Sequence, residues 1–273
     1  MKLDMGQAWN AATYLIGKNV DMILIIAGVF IFLPTLALTL LIPGLDQSAA
    51  DPSDTDAILG ALLEVYRSYW WAFIISGLVQ AVGTLSLLTL LTDTSRPTVG
   101  EALKLGIKGI LPYFVTQILI GLATAVVIGV PLGIAVASNI TPLAVMIGLV
   151  ALVAIVYISI KTMLIAPIIA IEREYNPIAI VKRSWGLTKG NSVRLLAFFA
   201  LLFIAIMVVS LVVEGILSVI LALMGGQVQI IGMAIVSGIL NTVLAVVVLA
   251  VLAGVHGQLA APDSDENLTD TFA

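Results

Sequence analysis

The 273-residue chain contains no cysteine. Disulfides, thiolate catalysis, iron–sulfur clusters and cysteine-ligated zinc are therefore excluded. Its single histidine is His256, which can build neither a histidine-based metal site nor a Ser-His-Asp triad with a spare. No metal and no cofactor is expected. Charge is scarce too: Asp, Glu, Lys and Arg together make up 10% of the residues, too few to clothe a water-exposed surface.

What remains is apolar. The hydrophobic fraction is 61% and the mean hydropathy +1.18, and long apolar runs would leave a soluble domain no polar face to show water. A run of roughly 20 apolar residues matches a bilayer core of about 30 Å at about 1.5 Å rise per residue. Every backbone group in lipid must be satisfied internally, so such runs are helices; a β-barrel would alternate apolar and polar residues, and these runs do not. Six runs stand out: 22–42, 69–91, 110–130, 142–165, 195–221 and 230–254. Lys161 interrupts the fourth and Glu214 the fifth. The first begins only at Met22 and lacks a small-x-small cleavage pattern, so it reads as a retained helix. The expected fold is all-α and polytopic, a single transmembrane domain over 1–255 followed by an acidic, disordered cytoplasmic tail over 256–273.

Lys and Arg set the orientation. With the N-terminus inside, Lys2, Lys18, Arg96, Lys104, Lys108, Arg173, Lys182, Arg183, Lys189 and Arg194 are inside, ten of the twelve basic residues. Arg67 lies outside, and Lys161 lies in the inner third of the fourth span, where its stem can snorkel. This is the positive-inside bias of a multi-pass cell-membrane protein with both termini cytoplasmic. The outer loop 43–57 carries four Asp and no base, which agrees. Trp70 and Trp71 fall at the outer interface and Trp9 and Trp185 at the inner one, where amphipathic rings prefer to sit.

Three inner segments have amphipathic helical patterns, each ahead of an inside-to-outside span. In 3–18, Met5, Trp9, Ala12 and Ile16 oppose Asp4, Gln7, Asn10 and Lys18. In 98–109, Thr98 and Glu101 form a capping box, and Glu101, Lys104 and Lys108 a polar stripe. In 177–190, Pro177 suits a first turn, and Lys182, Arg183 and Lys189 lie opposite Ile178, Ile180, Val181, Trp185 and Leu187. The chain thus reads as three hairpins of spans, each preceded by a cytoplasmic-side interfacial helix. "YLIGKNVDMILI" and "GLTKGNSVRLLA" look alike, as in a degenerate threefold repeat, although any inner loop in lipid acquires such a pattern.

The stretch 179–196, "AIVKRSWGLTKGNSVRLL", gathers a third of the positive charge: Lys182, Arg183, Lys189 and Arg194. Anionic headgroups attract each such base by roughly 1 kcal/mol, so the cluster can anchor topology or bind lipid. The longer segment "IEREYNPIAIVKRSWGLTKGNSVRLL" resembles the pattern of the glycerophosphoryl diester phosphodiesterase membrane-domain-like proteins and the YciC-like inner-membrane proteins. The resemblance rests on Glu172, Pro177, Ala179, Lys182, Arg183, Ser184, Trp185, Leu187, Thr188, Gly190 and Arg194, with "TVGEALKLGIKGILPYF" and the six-span layout beside them. It implies the membrane bundle. Because the chain ends soon after the sixth span, no phosphodiesterase domain is expected and that activity is not carried over.

Candidate sites follow. Lys182, Arg183, Ser184, Trp185, Thr188, Lys189 and Arg194 are candidates for binding lipid or a partner protein. Ser184 and Thr188 could donate to a lipid phosphate, or back-bond to helix carbonyls. Glu172, Arg173 and Glu174 are expected to form a structural salt network with the bases of 182–194. Glu172 is also a partner for Lys161, Glu64 pairs with Arg67, and His256 is incidental. Gln80, Gln117 and Asn241 lie inside spans and could line a cavity or bond between helices. Gly129, Gly133 and Ala137 form a small-residue row suited to close helix contact and dimerisation. Pro112, Pro131 and Pro142 mark span ends, and only Pro34 lies well inside a span.

These features favour a non-enzymatic membrane protein that organises anionic lipids or partner proteins at the inner face, with a homo-oligomer or another membrane protein as partner and no nucleic acid. The alternative is a small transporter or lipid translocator, which requires Gln80, Gln117, Asn241 and Glu214 to converge. An embedded enzyme would need acids, His or Ser clustered on facing spans, and none is apparent.

Overall fold

The computed structural model describes residues 2–42, 55–93, 97–138 and 140–261. Most of the acidic 43–57 loop, Arg96 and the tail from residue 262 lie outside the described residues. Among the described residues every regular element is helical: α1 (Met5–Lys18), α2 (Val20–Leu41), α3 (Thr55–Thr92), α4 (Val99–Ala137), α5 (Thr141–Glu172), α6 (Pro177–Leu187), α7 (Ser192–Met224) and α8 (Gly226–Ala260). Six of these, all but α1 and α6, are long and apolar enough to cross a membrane. The chain is an all-α multi-pass membrane protein.

Chain breaks set the two short helices apart. The Asp4 side chain caps α1, its Oδ1 accepting from the Gln7 N–H at 3.0 Å. The helix ends at Asn19, whose φ of −127° breaks it from α2. At the other break Gly190 adopts φ +81°, a left-handed conformation that costs glycine little, and Asn191 precedes α7. The look-alike segments therefore break at matching asparagines, and Ile23 and Leu195, each four residues further on, are both buried.

The middle unit differs. Residues 98–109 form no separate helix: the Thr98–Glu101 capping box starts α4, which runs on unbroken to Ala137. Gly106 and Gly109 instead let its first turns lie directly on α3 and α5. A Cβ at Gly106 would fall on Ser86 Oγ, and one at Gly109 would come within 2.9 Å of Leu85 and 3.0 Å of Ile169.

Pro112 and Pro131 consequently lie within α4 and do not end it. Proline lacks a donor N–H and its ring crowds the carbonyl four residues back. At Pro131 and Pro34 a π-helical turn precedes the proline, over Ala125–Gly129 and Gly28–Phe32. The wider turn lets Val130 and Leu33 donate to the carbonyls of Ala125 and Gly28, five residues back.

The packed core lies toward one end of the bundle. Leu85–Leu91 of α3, Leu164–Ile169 of α5, Leu195–Leu202 of α7 and Val246–Val255 of α8 contribute most of it, with Ile23, Ile26 and Ile31 of α2 and Ile180 of α6. The first and last described helices, α1 and α8, meet at this end. Asp4 N–H donates to Gln258 Oε1, and Gln258 Nε2 donates back to the Asp4 carbonyl, each at 3.1 Å. We call it the terminal face. α1 is not merely laid on a surface there: Ala8 and Ala12 are buried, and the Ala8 carbonyl would be 2.8 Å from a Cβ at Gly254 of α8. Helix α8 continues through His256 to Ala260, so the expected tail boundary at residue 256 falls inside a helix. Away from the terminal face, α4, α5 and α7 expose apolar side chains such as Val126, Val153 and Leu223, as lipid-facing helices do.

The row of small residues does not make the expected close contact within the chain: a Cβ at Gly129 or Gly133 would meet nothing within 4 Å. The tight approaches lie elsewhere, at Gly83 against Phe30 and at Gly238 against Phe32.

Candidate functional site

The short helix α6 lies on the terminal face and begins where its sequence requires. Asn176 Oδ1 accepts from the N–H groups of Ile178 and Ala179, and Pro177 occupies the first turn. Before it, α5 breaks at Met163–Leu164 and closes with a π-turn over Ile168–Glu172. Arg173 follows in the left-handed region, at φ 56°, a conformation a non-glycine residue holds only at a cost. Its guanidinium donates to Asp93 at 3.1 Å.

Glu172 is the hub. Arg183 Nε donates to both its oxygens, at 3.1 and 3.0 Å, and His256 Nε2 lies 2.9 Å from Oε1. One carboxylate thus joins α5, α6 and α8. The His256 side chain is only 4% exposed, against 25% for Glu172 and 46% for Arg183. Charge-assisted bonds contribute about 1.5–3 kcal/mol when shielded, and exposure at Arg183 brings that arm nearer 1 kcal/mol. His256 is therefore not incidental. Its signal in the sequence was slight, an ionisable group at the same end of the sixth span as Glu172 is of the fourth. Glu174 pairs with no base among the described residues; its Oε1 accepts from the N–H groups of Tyr175 and Asn176 and shapes the turn into α6.

Ser184 and Thr188 are fully buried, not on a membrane-facing surface. Ser184 Oγ donates to the Lys161 carbonyl at 2.7 Å. That carbonyl sits at the broken end of α5, where backbone acceptors lack helical partners. Thr188 Oγ1 donates to the Ser184 carbonyl at 2.9 Å, the back-bonding option. The two hydroxyls fasten α6 to the bundle.

The bases of the cluster divide into two groups. Arg183 is committed to Glu172. Lys182 and Lys189 are exposed and have no acidic partner among the described residues. Arg194 is exposed as well and reaches the Leu3 carbonyl only at 3.5 Å, while Asn191 Oδ1 takes the Leu3 N–H at 2.9 Å. An open cleft of about 490 Å³ lies beside α6, lined by Glu172, Glu174, Ala179, Lys182, Arg183 and Gly186.

Lys161 does not pair with Glu172, whose oxygens Arg183 and His256 occupy. It is 3% exposed, and its Nζ lies 5.5 Å from the Tyr157 ring centroid and 5.9 Å from that of Trp185. The two rings pack edge to face at 5.9 Å, joining α5 to α6. Cation–π contacts return about 0.5–2 kcal/mol, and the Nζ itself keeps some contact with solvent while its stem is buried. Trp185 thus has its indole against Lys161 and Tyr157 and remains partly exposed.

The polar residues within the spans do not converge. Gln80 donates to Ser76, Gln117 to Tyr113 and Asn241 to the Ser237 carbonyl, each within its own helix. Glu214 accepts from Ser237 at 3.1 Å, linking α7 to α8. Glu64 and Arg67 form no ion pair. Among the described residues no group of three or more His, Cys, Asp or Glu side chains is arranged to hold a metal ion.

No protein-family model, curated protein or solved structure matches this chain.

Proposed function

We propose that the protein is a non-enzymatic membrane protein that gathers anionic lipid headgroups at its terminal face, with that face on the cytoplasmic side of a cell membrane. The observation that carries this reading is the exposure of Lys182, Lys189 and Arg194 on one face without acidic partners among the described residues, while nearby Glu172 is engaged by Arg183 and His256 and Asp93 by Arg173. At roughly 1 kcal/mol for each base near an anionic surface, three bases together favour anionic over neutral lipid by on the order of a hundredfold. The orientation is supported by the bases of the terminal face, against the single Arg67 in the first half of α3. The resemblance to the glycerophosphoryl diester phosphodiesterase membrane-domain-like proteins is part of the proposal and brings no activity with it. Arg183, Ser184 and Thr188 serve here as the fastenings of α6 and not as headgroup ligands.

The test is native mass spectrometry of protein purified in mild detergent, comparing wild type with Lys182→Gln/Arg194→Gln. Wild type should carry anionic lipids that the double variant loses. Equal retention by both would make these bases topology anchors only.

A further inference from the structure

We propose that residues 59–68 of α3 form an interfacial helix that lies in the lipid surface at the end of the bundle opposite the terminal face, held there by its apolar side and not by charge. The two surfaces share no residue and work by different forces, so either can exist without the other.

Helix α3 is too long to be a span alone. Its 38 residues extend about 57 Å at about 1.5 Å rise per residue, whereas a bilayer core of about 30 Å takes about 20 residues. A tilt of about 20° takes up only about 2 Å of the difference. One end of α3 is fixed at the terminal face, where Leu85, Leu88 and Leu91 are buried and Asp93 accepts from Arg173. Counting back about 20 residues from there ends next to Trp71. Residues 59–68 thus lie beyond the core.

The backbone marks the same border. Tyr69 leaves the helical region, at φ −117° and ψ 17°, so α3 bends there. Burial changes across the bend: no residue from 59 to 68 is buried, whereas Ser76, Ala81 and Val82 are. The exposed segment has two unlike sides. At about 100° per residue, Leu59, Leu62, Leu63, Val65 and Tyr66 fall on one, and Gly60, Glu64, Arg67 and Ser68 on the other. Leu59, Leu62, Leu63 and Tyr66 are each more than half exposed, and nothing among the described residues covers them. Such a side is unfavourable in water and settles at the boundary of headgroups and acyl chains. Trp70 and Trp71, also more than half exposed, stand at the bend where amphipathic rings anchor a helix to that level. The Tyr66 ring lies 5.0 Å from that of Phe73 across the bend, so the apolar side of the segment runs on into the span.

Charge indicates which lipid. One acid and one base, Glu64 and Arg67, leave 59–68 without net charge and without the row of bases that draws a helix to anionic lipid. A zwitterionic phosphatidylcholine surface is sufficient.

The experiment uses the full chain in phosphatidylcholine nanodiscs. Because the chain lacks cysteine, a spin label can be placed on single cysteines. Leu59→Cys, Leu62→Cys and Tyr66→Cys sample the apolar side, and Gly60→Cys, Glu64→Cys and Ser68→Cys the polar one. Collision with oxygen, which concentrates in lipid, is compared with collision with a water-soluble nickel chelate. The oxygen-to-nickel ratio at Leu62 and Tyr66 should be at least about threefold that at Glu64 and Ser68, alternating with the helical period. Added phosphatidylglycerol should leave the ratios unchanged. Equally high nickel access at all six positions places the segment in water and overturns the inference. Shielding of the apolar side from both reagents overturns it too, because the bundle or a second copy then covers that side. Contrast that appears only with phosphatidylglycerol is equally contrary. Each side is read at three positions, so one variant that fails to fold does not decide the result. Lys182→Gln/Arg194→Gln in the same nanodiscs should leave the contrast intact, which separates this surface from the terminal face.

Discussion

His256 Nε2 lies 2.9 Å from Glu172 Oε1, and Arg183 Nε donates to both oxygens of the same carboxylate. Residues 84 positions apart thus hold the ends of α5 and α8 together, with α6 as the third member. Glu172→Gln should lower stability by about 1–2 kcal/mol, less than a fully shielded pair would, because both acid and Arg183 are partly exposed. A double-mutant cycle of Glu172→Gln with His256→Gln, read by thermal unfolding in detergent, should give a coupling of at least about 0.5 kcal/mol. Simple additivity would mean the contact contributes nothing.

Ser184→Ala removes the 2.7 Å bond to the Lys161 carbonyl and leaves that acceptor buried. A loss of about 1 kcal/mol is expected, with greater hydrogen exchange in α6 than elsewhere. Ser184→Thr should not rescue it, since the position is fully buried and an extra methyl has no room. Unchanged exchange in α6 would show that other contacts hold the helix.

Glycines of similar appearance should behave oppositely. Gly106→Ala places a methyl against Ser86 Oγ and within 2.9 Å of the Val82 carbonyl, forcing α3 and α4 apart at a cost of about 1–3 kcal/mol. Gly133→Ala meets open space and should be neutral or slightly stabilising within one chain. Ser86 Oγ itself is buried without a hydrogen-bond partner, so Ser86→Ala should stabilise by about 1 kcal/mol. Melting temperatures of the three variants check all three signs.

The absence of cysteine makes orientation directly measurable. Single cysteines at Lys182 and Gln258 should be labelled by an impermeant maleimide from one side of the membrane and a cysteine at Glu64 from the other. Labelling of all three from one side would contradict the hairpin arrangement.

The spans were legible because a run of apolar residues has only the helix open to it in lipid. The apolar runs at 142–165 and 195–221 fall inside α5 and α7, with Asn191 and Gly225 fixing the ends of α7. Helix extent was less legible. Pro131 reads as a terminator, yet the π-turn before it carries α4 onward. The basic cluster was legible as a cluster, but its division was not. That Arg183 turns inward to Glu172 while Lys182 stays exposed depends on where α5 ends and how α6 docks, and no local periodicity encodes either. The partners of Lys161 were missed for the same reason. Proximity in sequence pointed to Glu172, whereas the fold gives that acid to Arg183 and His256 and leaves Lys161 to Tyr157 and Trp185.

The central claim is that the terminal face holds anionic lipid through Lys182, Lys189 and Arg194. The most direct measurement is phosphorus NMR of nanodiscs containing phosphatidylcholine and phosphatidylglycerol, comparing wild type with the Lys182→Gln/Lys189→Gln/Arg194→Gln variant. The account predicts a motionally restricted phosphatidylglycerol signal with wild type that largely disappears in the triple variant, while phosphatidylcholine is unaffected. A restricted signal of the same size in both proteins would contradict it.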